Sequence, residues 1–124
     1  MFSSEGENWR LAWDPQKEKY SCLISVNYWS IELEKKEFYS LYKVLNNLYD
    51  VLTKTSDKLM NEEMINLELE KSPWYIELEG IKNEWSLRII FESTEQTRSF
   101  EMYWPIPIAE ALFFEIRKMW ESMQ

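Results

Sequence analysis

Residues 67–80 read LELEKSPWYIELEG: an apolar residue alternates with glutamate, a short break follows, and the alternation resumes. A period of two means a strand with one buried face and one wet face. Leu67, Leu69, Ile76 and Leu78 therefore belong to a core, and Glu68, Glu70, Glu77 and Glu79 to a surface. A hairpin turn at the break sets Leu69 opposite Ile76 and Glu68 opposite Glu77. The chain must then fold into something that tolerates a sheet face rich in carboxylates.

The same period continues on either side. Trp85, Leu87, Ile89 and Phe91 form one inward row after the break at 80–83, and Phe100, Met102 and Trp104 form another. Short turns at both breaks place Arg88 beside Glu77 and Tyr103 beside Arg88. The wet face then reads Glu68, Glu77, Arg88, Tyr103 across four strands. Upstream, residues 9–14, 20–26 and 28–33 also alternate, with Asn27 as the turn between the last two. From Lys35 the period becomes helical: Phe38, Leu41, Leu45, Leu48 and Leu52 recur at three, four and seven residues. No Gly or Pro interrupts this run, so a helix of about 20–25 residues is expected. Glu34 and Glu37 have the spacing of a capping box, although Glu is a poor cap. Pro107 suits the first turn of a closing helix with Ile108, Leu112, Ile116, Met119 and Trp120 as its stripe.

The expected order is β-β-β-α-β-β-β-β-α, two sheet-then-helix halves with one strand missing from the first. The fold class is α+β, antiparallel sheet with helices packed on one face. Residues 1–7 read as a polar leader and 8–124 as a single domain, consistent with 124 residues in all.

Composition excludes much. There is no histidine, which removes the commonest general base and the commonest zinc ligand. Having only two glycines, Gly6 and Gly80, disfavours Gly-rich phosphate loops and dinucleotide fingerprints, which need several at fixed spacing. One cysteine, Cys22, permits no internal disulfide and suits a reducing cytoplasm. No apolar run approaches the roughly 18–20 residues of a membrane-spanning helix. A non-enzymatic chain without metal or cofactor is expected. Of the net charge of −8, residues 62–101 carry −6, from ten acids and four bases.

The candidate interaction face is therefore Glu68, Glu70, Glu77, Glu79, Arg88, Tyr75 and Tyr103. A solvated face that only keeps the sheet soluble is one reading. A docking surface for a basic protein is another. A divalent-cation site on glutamates two apart is the remainder, although the usual loop spacing of Asp, Asn and Gly is absent. A catalytic use of Glu68, Glu77 and Tyr103 is a more distant reading. Trp9, Trp13, Trp74, Trp85 and Trp104 fall on inward faces, while Tyr28, Tyr75 and Tyr103 point outward. Tyr42 and Tyr49 flank the apolar stripe of the long helix; they either form a candidate dimer seam, with a homodimer as a further expectation, or simply cover the edge of the core. The bases are scattered along the sequence, and a stacking Tyr flanked by Lys17, Lys19, Lys35 or Arg88 would favour nucleic acid.

The segments NWRLAWDP (8–15), YWSIELEKKEF (28–38), LMNEEMINLELEKSPWYIELEG (59–80), WSLRIIF (85–91) and WPIPIAEAL (104–112) resemble a cyanobacterial family of unknown function, the one numbered 1818. The resemblance implies a fold like that of the Whirly and positive-cofactor-four group of single-stranded-DNA-binding transcription regulators, which repeat a β-β-β-β-α unit. It implies no functional residues, because the family has no established activity. The Lys-Gly-Lys strand motif of the Whirly proteins is absent, and glutamates stand where a phosphate-facing sheet needs lysines. The leading expectation is a binding or adaptor module that meets a protein partner through the acidic sheet face or the long helix. Single-stranded nucleic-acid binding in transcription is the alternative.

Overall fold

The computed structural model describes residues 1–93 and 98–124. Glu95, one of the ten acids counted above, lies outside the described residues. The elements run β1 Phe2–Gly6, β2 Trp9–Trp13, β3 Cys22–Val26, β4 Trp29–Leu33, α1 Lys35–Ser56, β5 Ile65–Lys71, β6 Trp74–Ile81, β7 Glu84–Ser93, β8 Arg98–Trp104 and α2 Ile108–Ser122. Two four-stranded antiparallel meanders, β1-β2-β3-β4 and β5-β6-β7-β8, are each followed by a helix.

The expected polar leader is corrected by this structure: residues 2–6 are a strand, and they supply the fourth strand of the first half. Phe2 packs against the core, and the Ser4 hydroxyl donates to Glu115 of α2 at 2.9 Å. With a single large apolar residue, this strand leaves almost no periodic trace. Gly6 pairs with Trp9 across a two-residue loop, and Asn8 takes a left-handed φ of 66°. Asn27 does the same at 54° between β3 and β4, as asparagine readily does in tight hairpins.

All three expected registers in the second sheet are observed: Leu69 with Ile76 and Glu68 with Glu77, Glu77 with Arg88, and Arg88 with Tyr103. The long helix also keeps its expected extent, 22 residues, and Glu34 and Glu37 close a reciprocal capping box. Pro107 stands at the N-cap of α2, one position before its first turn.

The helices sit on the inner faces of the sheets. Helix α1 packs on β5 and β6, while α2 touches β1 and β2 of the first sheet, β7 of the second, and α1. Trp74, Trp104, Phe38 and Phe91 are fully buried at the centre. Trp85 is buried too, whereas Trp9 and Trp13 are half-buried against the core edge. Burial of such side chains contributes about 1.5–3 kcal/mol each, which explains why a chain with few glycines and no disulfide folds. Among the described residues no helix is long and apolar enough to cross a membrane.

Candidate functional site

The outer face of β5–β8 follows from register and parity alone. One transverse row is Glu68, Glu77, Arg88 and Tyr103; the next is Glu70, Tyr75, Ile90 and Glu101. Glu79 stands beyond them between Asn66 and Ser86. The seven residues expected on this face are thus all brought to it. Sequence reasoning missed Glu101, whose alternation with Phe100 and Met102 was available to place it outward.

Arg88 is the hub. Its Nε lies 2.5 Å from Glu101 and its Nη1 3.4 Å from Glu77. The hydrogen bond to Glu101 and that carboxylate's charge hold the guanidinium above its ordinary pKa. The Tyr75 hydroxyl donates to Glu77 at 3.4 Å. Partial desolvation, followed by the charges of Glu68 and Glu77, pushes the Tyr75 phenol upward, so it stays a neutral donor. Tyr103 is exposed at the far side of Arg88. A shallow concavity of about 490 Å³ opens beside the β5–β6 turn, lined by Glu70, Pro73, Tyr75, Arg88 and Ile90. No group of acidic side chains has the geometry to hold a metal ion, among the described residues. The face therefore presents negative charge together with a few aromatic and apolar atoms.

The candidate dimer seam is differently placed. Tyr42 stacks on Trp120 at 5.8 Å between centroids, and Tyr49 stacks on Phe113 at 4.5 Å. Both rings thus face α2 within the chain. Tyr39, Val51 and Phe114 are the exposed apolar side chains of the two helices. Tyr28 is exposed, as expected, with Trp29 beside it at the β3–β4 turn.

A second cluster had no sequence signature. Arg98 on β8 places Nη1 3.0 and 3.1 Å from the two carboxylate oxygens of Glu37 and donates from Nη2 to the Glu32 carbonyl at 2.6 Å. Its guanidinium lies over Tyr20 at 4.6 Å. Glu37 also accepts from the Glu34 amide, and its own carbonyl accepts from the Trp74 indole at 3.3 Å. These contacts tie β8 to β4 and to the start of α1. They border an open groove of about 560 Å³ that includes Tyr20, Ser30 and Phe100.

Two meanders, each followed by a helix and one bearing an acidic outer face, define a small α+β protein. Residues 4–119 match the model of a domain of unknown function, DUF1818, and the chain belongs to that family. It is also similar to a protein of unknown function described as from the DUF155 family of Prochlorococcus sp. NATL2A, whose crystal structure is 36% identical in sequence. That likeness covers 97% of this chain and 99% of that one, with a TM-score of 0.89. Its source, a cyanobacterium, fits the expected provenance of the family. No curated protein matches the chain.

Proposed function

We propose that the chain is a non-enzymatic cytoplasmic binding module that meets a basic protein segment across the outer face of β5–β8. The observation that carries this reading is the state of Arg88. It is the one guanidinium among the described residues of that face, and it is engaged by Glu77 and Glu101. Glu68, Glu70, Glu79 and Glu92 are left without a basic partner among the described residues. Like charges held side by side on a sheet disfavour the free protein and favour an oppositely charged partner. The long helix offers less, since Tyr42 and Tyr49 face α2. A homodimer seam on the helices would use Tyr39, Val51 and Phe114.

Single-stranded nucleic acid is the second reading. It draws on the kinship with Whirly proteins that the family resemblance implies, on the repeated unit of four strands and a helix, and on one contact: Tyr20 lies beneath both Lys19, at 5.3 Å, and Arg98, at 4.6 Å. Fluorescence anisotropy of a labelled Lys/Arg-rich peptide and of a labelled single strand separates the two. The peptide is expected to bind, less tightly as salt rises, and to release from a Glu68→Gln/Glu70→Gln/Glu79→Gln variant. Tight, steeply salt-dependent binding of the strand alone would overturn the leading reading.

A further inference from the structure

Part of the chain's sparse positive charge gathers around one pocket. The loop between β2 and β3 and the first turn of α1 enclose an open pocket of about 450 Å³, the size of an ordinary small-ligand site. Lys17 and Lys19 come from the loop, Lys35 and Lys36 from the helix, and Trp13 forms an apolar wall. The loop is tied in place: Asp14 donates its amide to the Ser21 carbonyl at 2.9 Å, and Lys17 donates its amide to the Asp14 carbonyl at 3.1 Å.

Four lysines line one pocket, against two glutamates, Glu18 and Glu34, in a chain of net charge −8. Two of the lysines also occupy the start of a helix, where the backbone disfavours cations. Only part of this is compensated. Lys17 pairs with Glu32 at 3.6 Å and Lys36 with Glu34 at 3.7 Å. Lys35 has no acidic partner among the described residues. The helix amides are not the attraction, because Glu34 and Glu37 already cap them. A local conflict that the fold leaves uncorrected is expected where function demands it. We infer that this pocket binds a phosphorylated small molecule carrying a planar ring, of nucleotide size, with its phosphates among the lysines and its ring on Trp13. Glu18 and Glu34 line the same pocket, and Glu32 pairs with Lys17 beside it, which favours a short anion over a long strand that must run past these acids.

No residue of β5–β8 lines this pocket, so its test is independent of the acidic-face reading. Isothermal titration with ATP, inorganic tripolyphosphate and a short oligothymidine at low salt decides it. ATP is expected to bind more tightly than tripolyphosphate and than the oligonucleotide. Lys17→Ala/Lys35→Ala is expected to weaken ATP binding by about tenfold or more, as loss of charge-assisted contacts does. Lys118→Ala, on α2, is expected to leave it unchanged. Absence of ATP binding, equal affinity for tripolyphosphate, tighter binding of the oligonucleotide, or indifference to the lysine pair would each overturn the proposal. All the substituted lysines are exposed, so circular dichroism of the variants is expected to match the wild type.

Discussion

Arg98 and Glu37 lie 61 residues apart in sequence and 3.0 Å apart in space, the guanidinium Nη1 meeting both carboxylate oxygens. Glu37 is almost fully buried and Arg98 only a quarter exposed. Removing one partner of such a pair strands the other in the interior. Arg98→Ala is therefore expected to destabilise the fold by about 3 kcal/mol in urea unfolding. Arg98→Lys is expected to recover little of that, because an ammonium cannot form the fork or lie flat over Tyr20. Full recovery by lysine would show that charge alone matters here.

The two central tryptophans differ in their indole N–H groups. That of Trp74 donates to the Glu37 carbonyl at 3.3 Å, while that of Trp104 is buried with no partner among the described residues. Phenylalanine removes similar volume from both sites but a hydrogen bond from only one. Trp74→Phe is expected to cost about 2 kcal/mol more than Trp104→Phe. Thermal unfolding of the two variants measures the difference.

Gly80 sits at φ 153°, a conformation that side-chain-bearing residues rarely adopt. A Cβ there would meet the Glu84 carbonyl oxygen and stand 2.6 Å from the Trp85 Cα. Gly80→Ala is expected to lower stability by about 1–3 kcal/mol through backbone strain alone, with further loss as the β6–β7 hairpin adjusts. An unchanged unfolding midpoint would contradict this geometry.

Cys22 is 1% exposed, and burial pushes its thiol up to about 11. The folded state then holds its proton where the unfolded state, at about 9, has lost it. Stability from this group is full below pH 9 and falls as pH rises toward 11. Cys22→Ala is expected to flatten that alkaline slope. The native thiol is expected to resist thiol reagents at pH 8 and to react once the chain is unfolded.

Much of the second sheet was legible because alternation fixes the face and short hairpin turns fix the register. Leu69, Ile76, Glu77, Arg88 and Tyr103 all landed opposite the expected neighbours for that reason. Strand β1 was missed because FSSEG carries one large apolar residue, too few for a period. Arg98 was missed for a different reason. Its partners, Glu32, Glu37 and Tyr20, come from the other half of the chain, and no local pattern encodes a contact across halves. The lysines at 17, 19, 35 and 36 looked scattered because two strands separate the pairs in sequence, whereas the β3–β4 hairpin brings them back together. Tyr42 and Tyr49 were correctly set beside the apolar stripe, but periodicity could not say that α2 would be their neighbour.

The acidic face is tested most directly by following backbone amide shifts of the labelled protein as an Arg/Lys-rich peptide is added. The expected result is a contiguous set of shifts at Glu68, Glu70, Tyr75, Glu77, Arg88 and Glu101, abolished by the Glu68→Gln/Glu70→Gln/Glu79→Gln variant. Shifts confined to the exposed helical residues Tyr39 and Phe114, or no shifts at all, would contradict a recognition role for this sheet.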